Sequence, residues 1–466
     1  MAFLIGGANS AADTGYNVDN SIRFNGPDNS NLTQTSSGTP TNRRKCTVSF
    51  WIKHDCKSGN QCLIQGTDDS GANSYFQFEL TDVGIDIQLR DGSGATYIRR
   101  GTKGKRIFRD PSAWYHFVVR FDSTEGSAGD RFRVYINGTQ DPLGGSDDTG
   151  TVDSNYDFVL TKDSMPIAVG SNVAGGGDWS GYMAELVCID GDSLAPTSFG
   201  EFDEDSPTIW KPIDVSGLTF GTNGFYCDFE DSGDLGDDES GNTNDFTENN
   251  LAAADQAVDT PTNNFCTINS LQNWYADPTL SEGNCKAVNT SGWGGIKGTM
   301  AVSKGKWYWE IKLSGTMGDH MHGVQEINIE GASAIDPQAL TGGTMHFNQD
   351  GGEMKKDNTN TTADYGEFDA NDIMGIALNM DGGSYGQISI YDNNTAIVED
   401  FDLSSSSDYV APFSVIAAAT AEYNFGGCSA FTISSAGADA NGYGAFEYAP
   451  PSGYLALCTK NLATDG

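Results

Sequence analysis

The sequence predicts an all-β protein made of two antiparallel β-sandwiches joined by an acidic, turn-rich connector. Three observations support this fold class. Short runs of alternating apolar and polar residues recur along the chain, and a period of two marks a strand with one buried face. Turn-forming residues separate these runs, including 58 glycines among 466 residues. Long amphipathic helical patterns are absent, which argues against helical and alternating α/β architectures.

Residues 18–200 are predicted to form the first sandwich. The run CTVSFWIK alternates Val48, Phe50 and Ile52 with polar or aromatic neighbours, and AWYHFVVRFD alternates in the same way. The run RFRVYINGTQ turns at Asn137-Gly138, a hairpin signal because both positions tolerate positive φ. These runs indicate neighbouring antiparallel strands with one face in a core.

Residues 201–270 are predicted to be an acidic connector that wraps a neighbouring domain. Residues 190–260 hold 18 acidic residues and a single base, Lys211. The aromatic residues Phe225, Tyr226 and Phe229 are expected to anchor the connector to that domain. At the two ends of the chain, residues 1–17 and the final TKNLATDG are predicted docking segments.

Residues 271–466 are predicted to form the second sandwich, which opens with the strand SKGKWYWEIKL. Trp307 and Trp309 share one face of this strand, so they belong either to the core or to a ligand platform. We favour the core, because a sandwich needs a bulky inner face on each sheet and Trp fills it when its N–H finds a partner.

Charge and cysteine usage exclude several classes of function. The chain has 64 Asp and Glu against 26 Lys and Arg, a formal net charge of −38. Such a charge repels nucleic acids and anionic membranes, and no apolar run approaches the roughly 18 residues of a membrane span. The start MAFLIGGANSAADTG lacks the pattern of a signal peptide. The nine cysteines are scattered, which favours reduced, mostly buried thiols and argues against zinc.

The first region resembles the laminin-G-like, concanavalin-A-like sandwich family. The resemblance is carried, in order, by SIRFNGPDNSNLTQT, CTVSFWIK, DPSAWYHFVVRFDS, DRFRVYING and WSGYMAELVCIDGDSLAP. The last region resembles SPRY domains through GTMAVSKGKWYWEIKL, FDANDIMGIALNMDGG and EYNFGG. It departs from the SPRY pattern at ISIYDNNTA, so peptide-binding loops cannot be carried over. Both resemblances imply two-sheet sandwiches.

The combination of the two modules is similar to large virion proteins of marine bacteriophages. The connector phrases AELVCIDGDSLAPTSFGEFDED, GTNGFYCDFED, LGDDESGNTNDFTENN and PPSGYLALCTKNL carry this similarity. It implies a non-catalytic tail fibre or appendage with lectin-like modules, made in host cytoplasm, with other virion proteins and a host glycan as partners. A homo-oligomer, with a trimer favoured, is also implied. The alternatives are a capsid decoration or head-fibre protein and an envelope polysaccharide depolymerase.

Carboxylates at two places in the sequence are candidate sites. EFDEDSP places Glu201, Asp203 and Asp205 in alternation, similar to the catalytic stretch of concanavalin-like glucanases; we interpret it as a solvated connector. No cofactor is expected, and calcium is the one ion for which the chain offers oxygen ligands in a glycine-containing loop. The candidate calcium ligands are Asp234, Asp237, Asp238, Asn242, Asn244 and Asp245.

Two further groups of side chains complete the candidate sites. His320 and His322 would share a face if they lay on a strand, and could then bind a metal; we favour an exposed loop instead. Sugar binding usually needs an exposed aromatic ring with a few polar groups. Trp51, Trp179 and Trp293 are the candidate platforms, and the sequence does not choose among them.

Overall fold

The computed structural model describes residues 4–5, 15–55, 58–67, 75–82, 84–90, 97–101, 106–144, 150–329, 339, 341–349, 351–404 and 409–466, with the backbone alone at 4–5, 97–100 and 272–275. The chain divides into two compact units. Residues 13–262 form the first unit, and residues 1–12 with 263–466 form the second unit. Each unit is built on antiparallel β-sheets, which confirms the predicted all-β class.

The first unit is a sandwich of short strands. In chain order, the strands up to residue 262 are β1 (Leu4–Ile5), β2 (Ser21–Phe24), β3 (Asn31–Thr35), β4 (Lys45–His54), β5 (Gln61–Thr67), β6 (Tyr75–Thr81), β7 (Gly84–Arg90), β8 (Tyr97–Gly101), β9 (Trp114–Asp122), β10 (Phe132–Ile136), β11 (Thr139–Asp141), β12 (Pro166–Val169), β13 (Gly181–Asp190), β14 (Gly200–Phe202), β15 (Trp210–Pro212), β16 (Phe225–Cys227), β17 (Thr247–Asn249) and β18 (Gln256–Ala257). β1 pairs within the second unit, and the others belong to the first.

Two sheets of the first unit pack face to face around one core. Sheet A has the order β11-β10-β9-β4-β13-β2-β18 with β16 beside β13, and sheet B has the order β17-β3-β12-β5-β6-β7-β8. Phe50 of β4 and Phe117 of β9 meet Phe78 of β6 in the core, with ring centres 5.3–5.8 Å apart. The inward face predicted for β4 is therefore confirmed.

The hairpin predicted at Asn137-Gly138 joins β10 and β11. φ is 47° at Asn137 and 71° at Gly138, as the turn requires. A Cβ at Gly138 would lie 2.3 Å from carbons of the Trp210 ring. The glycine therefore also leaves the space that the predicted connector needs to pack on sheet A.

The segment predicted as a connector is divided between the two units at residue 262. Residues 201–262 return to the first sandwich, where β17 pairs with β3 of sheet B. β16 and β18 pair with β13 and β2 of sheet A. These ladders satisfy the backbone N–H and C=O groups of an acidic segment that has little apolar pattern of its own. Residues 263–270 belong to the second unit.

The same returning segment covers the outer face of sheet A. Val215 and Phe220 of this segment, with Phe199 just before it, pack against Val118 and Val187 of that face. All ten residues of β13 are buried, and nine of the ten in β4. Both strands are therefore enclosed on two sides.

A buried ion pair fixes the end of this segment to sheet A. Lys53 Nζ of β4 lies 2.6 Å from Asp259 Oδ2, and the side chains are 2% and 1% exposed. The indole N–H of Trp114 donates to the other carboxylate oxygen at 3.1 Å. The hydroxyl of Ser21 donates to the backbone oxygen of Asp259 at 2.7 Å. The two buried charges compensate each other, and hydrogen bonds occupy the remaining acceptors.

The second unit continues with strands and ends in a short helix. Its further elements are β19 (Ile268–Tyr275), β20 (Thr279–Ser281), β21 (Lys286–Asn289), β22 (Gly294–Gly298), β23 (Met300–Ala301), β24 (Lys306–Gly315), β25 (His320–Glu326), β26 (Gly343–Phe347), β27 (Glu353–Lys356), β28 (Thr359–Asn360), β29 (Ile373–Asn379), β30 (Gln387–Asp392), β31 (Thr395–Asp402), β32 (Val410–Ile416), β33 (Ala419–Asn424), β34 (Leu455–Ala456) and α1 (Thr459–Asp465). From the predicted docking arm, β1 pairs in parallel with β23.

Two sheets enclose the core of the second unit. Sheet C has the order β19-β22-β32-β25-β26-β27-β28, and sheet D has the order β20-β21-β33-β24-β29-β30-β31 with β34 beside β24. Trp307 and Trp309 of β24 are fully buried in this core, and the indole N–H of Trp307 donates to the backbone oxygen of Lys304 at 2.8 Å. The core interpretation of these two tryptophans is confirmed.

A buried carboxyl group on the opposite face of β24 holds the C-terminal segment. Glu310 accepts hydrogen bonds from the backbone N–H groups of Glu447 and Tyr448 at 2.9 and 2.8 Å, and from the amide of Asn424 at 3.0 Å. Burial raises the pKa of Glu310 to about 7, and these donors act in the opposite direction.

The described cysteines are free and buried, as the scattered spacing predicted. None of the helices in the described part of the chain has the length and apolar character needed to cross a membrane.

We expect Asp259→Ala to destabilise the first sandwich by about 3–5 kcal/mol, because Lys53 would remain buried without its carboxylate. Calorimetry of the full chain, with hydrogen exchange of β2 and β4, measures the loss. The control is Asp157→Ala, since Asp157 is half exposed and its pairs with Arg43 and Arg44 exceed 3.6 Å. It should change stability by less than about 1 kcal/mol. Equal effects of the two variants would contradict the assigned role of the buried pair.

Candidate functional site

A cleft at one end of the second sandwich combines an exposed aromatic ring with buried polar groups. It is a shallow depression with about 10 Å³ of free space, room for about one water molecule. Its walls come from β25, β26 and β32 of sheet C and from the segments that follow β29 and β31. The lining residues are Val324, Glu326, Gly342, Gly343, Thr344, Tyr385, Leu403, Ser404 and Val410. Concave sites with a few convergent polar groups are typical of ligand binding.

Strand ends and a glycine position the polar wall of the cleft. Glu326 is the last residue of β25, and Gly342 stands beside it with φ 59°. A Cβ at Gly342 would lie 3.0 Å from Glu326 Cδ, so a larger residue would displace the carboxyl group. Thr344 Oγ1 accepts the backbone N–H of Ser404 at 2.9 Å. This bond ties the segment after β31 to sheet C.

Glu326 contributes the charge of the cleft. Burial and the carboxylate of Asp357 raise its pKa, whereas a hydrogen bond with Asn328 and the charge of Lys297 lower it. Lys297 Nζ donates to the backbone oxygens of Glu326 and Ile329 at 2.8 and 2.5 Å. The ammonium group is therefore directed at backbone carbonyls, and Glu326 lines the cleft as a mostly buried side chain, 8% exposed. Its carboxyl group is an acceptor of hydrogen bonds.

Tyr385 provides the aromatic wall. It lies in the turn between β29 and β30 and is 52% exposed, against 43% for Phe202. Gly386 follows with φ 98°, and a Cβ there would lie 3.0 Å from Leu403 Cδ1. An exposed ring beside hydroxyl and carboxyl groups can stack on the apolar face of a sugar while the polar groups bind its hydroxyls.

Trp51 is buried, so its predicted exposure is wrong. Its ring stacks on His116 with ring centres 4.5 Å apart, under the segment that carries Trp210. The indole N–H of Trp210 donates to His116 Nδ1 at 2.9 Å, and His116 Nε2 lies 2.8 Å from the hydroxyl of Ser49. Because an indole only donates, His116 is neutral with its proton on Nε2, and burial lowers its pKa to about 3.

The other two tryptophan candidates also pack against the protein. Trp179 is fully buried in the core of the first sandwich, 5.4 Å from the ring of Phe24, so its predicted exposure is wrong. Trp293 is half-buried, with its ring centre 6.0 Å from that of Phe347 on the outer face of sheet C. Sequence alternation does not reveal that a strand is covered on both faces.

His320 and His322 lie on β25 in the interior of sheet C, so the predicted exposed loop is wrong. His320 Nε2 donates to the backbone oxygen of Ser314 at 3.0 Å, which leaves Nδ1 to accept from His322 Nε2 at 3.1 Å. His322 Nδ1 lies 2.8 Å from Ser414 Oγ. Burial lowers the pKa of both rings. Within the described part of the chain, no cluster of three or more His, Cys, Asp and Glu side chains is arranged to hold a metal ion.

The six candidate calcium ligands lie in one loop of the first unit, before β17. Asp238 accepts backbone N–H groups from Tyr226, Ser240 and Asn244 at 2.8–3.0 Å. The amides of Asn242 and Asn244 donate to backbone oxygens of the preceding turn. The loop therefore uses its own donors and acceptors. Asp245 accepts the N–H of Asp238 at 3.2 Å, and Asp234 and Asp237 stand at the start of the loop, where the N–H of Asp237 donates to the backbone oxygen of Asp234.

The EFDED residues form a surface hairpin of β14 and β15. Glu201 and Asp203 each lie 3.4 Å from Lys211 Nζ. The N–H groups of Ser206 and Asp205 donate to Asp203, and together with Lys211 they lower its pKa. A catalytic general acid needs a raised pKa instead, so this arrangement does not favour acid catalysis.

Glu185 is a buried carboxyl group that sequence reasoning did not single out. It lies at a bulge of β13 with φ 50°, in the left-handed region that non-glycine residues rarely adopt. The hydroxyl groups of Tyr226 and Tyr16 donate to it at 3.1–3.2 Å. Burial raises the pKa of Glu185 to about 8, and the tyrosine bonds oppose this shift. The groups that bind it are phenols rather than a second carboxyl group.

The comparison with protein families matches part of the first sandwich. Residues 24–191 match the Laminin_G_3 family model, described as the concanavalin A-like lectin/glucanases superfamily. This region runs from β2 to the end of β13. The match falls on the region whose ordered strand motifs predicted a laminin-G-like, concanavalin-A-like sandwich. No curated protein matches the chain.

The chain is similar to several solved structures, and three of them share 20% sequence identity or less with it. The SPRY domain of human HERC1 shares 13% identity with a TM-score of 0.29, covering 35% of this chain and 99% of that one. The SAP-like pentraxin of Limulus polyphemus shares 20% identity with a TM-score of 0.27, covering 39% and 80%. Domains LG4-5 of the mouse laminin alpha1 chain share 12% identity with a TM-score of 0.29, covering 88% and 84%.

The cleft residues were not predicted from the sequence. Tyr385 had a local signal, since it stands in the turn DGGSYGQ between two apolar runs, where an aromatic ring has little to pack against. Glu326 and Ser404 had none, because they lie 78 positions apart (404 minus 326) and the fold alone brings them together.

We expect Glu185→Gln to stabilise the protein increasingly between pH 5 and pH 9. The folded pKa of about 8 lies above the ordinary value of 4.5, so the contribution of Glu185 to wild-type stability falls as pH rises from 4.5 towards 8. The neutral amide avoids that loss, which should exceed about 1 kcal/mol at pH 9, the equivalent of one pKa unit. Thermal unfolding of both proteins across this pH range measures the difference. The exposed Glu201→Gln is the control, and parallel profiles for wild type and Glu185→Gln would contradict the assignment.

Proposed function

We propose that this chain is a non-catalytic, lectin-like structural protein that binds glycans through the cleft around Tyr385. The observation that carries the proposal is the exposed ring of Tyr385 beside Glu326, Thr344 and Ser404 in one concave site. Stacking on the ring would provide affinity, and the polar groups would fix orientation. The description of the matching family, which names lectins, supports sugar binding.

The arrangement of the carboxyl groups supports a non-catalytic role, although the family description also names glucanases. Glycoside hydrolysis generally uses two carboxyl groups about 5–9 Å apart. Among the described residues that line the cleft, Glu326 carries the single carboxyl group. Glu201 and Asp203 are engaged by Lys211 on an exposed hairpin.

The proposed setting is the virion of a tailed bacteriophage, as a tail fibre or appendage made in host cytoplasm. The order of connector phrases from AELVCIDGDSLAP to PPSGYLALCTKNL supports this setting. The acidic surface keeps the chain soluble during assembly. The proposed partners are other virion proteins, further copies of this chain as a trimer, and a host glycan. A capsid decoration protein is the alternative position, and a depolymerase the alternative activity.

We expect Tyr385→Ala to weaken glycan binding at least tenfold, because the stacking surface is lost, whereas Tyr385→Phe should retain most of the affinity. A glycan array read with the full chain identifies the ligand, and titration of that glycan measures the change. Phe202→Ala is the control, since Phe202 is a partly exposed ring of the first unit. Unchanged binding by Tyr385→Ala would contradict the proposed site.

We expect immunogold label against this chain at the tail of intact particles. Label spread over the capsid would favour the decoration role and contradict host attachment through the tail. Absence of label from particles would overturn the virion setting and return the depolymerase to consideration. In that case, loss of sugar release by Glu201→Gln would assign the activity to the EFDED hairpin.

A further inference from the structure

The charge on the described walls of the Tyr385 cleft is negative and comes from one side chain. Among the described lining residues, Glu326 is the one with a charged side chain, and the others offer hydroxyl groups, backbone groups, a phenol and apolar surface. Thr344 uses its hydroxyl oxygen to accept the N–H of Ser404. The carboxylate of Glu326 is therefore the strongest hydrogen-bond acceptor among these lining groups, because it carries a negative charge.

The nearby cations do not reverse this charge. Lys297 Nζ donates to the backbone oxygens of Glu326 and Ile329. Lys356 pairs with Thr344 across β26 and β27, but it does not line the cleft. Asp357 adds a second negative charge next to Gly342, whose N–H it accepts at 2.9 Å. The raised pKa of Glu326 reflects this carboxylate as well as burial.

A carboxylate and an aromatic ring together suit one class of sugar. The two oxygens of a carboxylate can accept hydrogen bonds from two adjacent hydroxyl groups, while the C–H face of a hexose packs on the ring of Tyr385. A uronic acid would place a second carboxylate in a partly buried site next to Glu326 and Asp357. Like charges placed side by side weaken binding at an interface, and the net charge of −38 adds repulsion at long range.

Resting on the proposed glycan binding, we infer that the Tyr385 cleft selects neutral hexoses and excludes uronic acids, with Glu326 as the residue that sets this specificity. Glu326 would hold adjacent hydroxyl groups of the sugar and repel a carboxylate at the same place. Because burial already disfavours the charged form of Glu326, we expect the neutral, equally sized Gln to be accommodated there.

The test uses paired oligosaccharides that differ only in ending with a hexose or with the corresponding uronic acid. We expect the wild-type chain to bind the hexose member at least tenfold more tightly. Glu326→Gln should reduce this ratio at least tenfold, while Glu326→Asp, which keeps the charge, should preserve the preference. Glu399→Gln is the matched control, since it removes the same charge from an exposed position of β31 and should leave the ratio unchanged.

The outcomes separate this inference from the function on which it rests. Uronic acids that bind as tightly as hexoses, in a manner that Tyr385→Ala abolishes, would overturn the inference and leave glycan binding in place. A preference that Glu326→Gln does not alter would also overturn it. If neither member of any pair binds and Tyr385→Ala changes nothing on a wider array, both proposals fail together.

Discussion

The ion pair between Lys53 and Asp259 is the interaction on which the first sandwich depends, because it fixes the end of the segment 201–262 to sheet A. Burying a single charge there would cost several kcal/mol, so each partner requires the other. The bond at 2.6 Å fixes residue 259 after β16, β17 and β18 have joined the two sheets. The acidic segment is ordered through backbone pairing and through burial of Phe199, Val215 and Phe220, not through a core of its own. The second sandwich holds its returning C-terminal segment differently, through the buried carboxyl group of Glu310, which accepts two of that segment's backbone N–H groups.

The sequence predicts correctly which face of a strand is buried where the alternation of neighbouring residues determines it. Alternation in β4 and β24 identified the inner residues, and Trp307 and Trp309 lie in the core as predicted. Alternation does not tell whether the second face of a strand meets water or another layer. Trp51 stands on the outer face of β4, where a soluble sheet would expose it, yet the segment carrying Trp210 covers it. That contact joins residues 159 positions apart (210 minus 51), so no local pattern could indicate it.

The cleft illustrates the same limit for function. Tyr385 has a local signal in the sequence, because it stands in a glycine-rich turn. Glu326 and Ser404 have none, since they lie near Tyr385 only because the ends of β25, β26 and β31 meet on one side of the sandwich. The motifs that did look chemical have structural uses instead: Lys211 engages the EFDED hairpin, and Asp238 closes its own loop. Carboxylates in an acidic chain are numerous, so residue type alone identifies a site poorly. The surroundings of each carboxyl group determine its pKa and its role, since hydrogen bonds lower the pKa of Asp203 and burial raises that of Glu326.

Each sandwich buries titratable groups with opposite pKa shifts, and these shape its stability against pH. Glu185 and Glu310 have pKa values raised to about 8 and about 7, so stability is lost as pH rises from the ordinary 4.5 towards these values. His116 and His346 have pKa values lowered to about 3 and about 4, so stability is lost as pH falls below the ordinary 6.5. Between pH 4.5 and 6.5 the two effects run in opposite directions and largely cancel. These four groups therefore contribute a loss of stability above this range through glutamate ionisation and below it through histidine protonation.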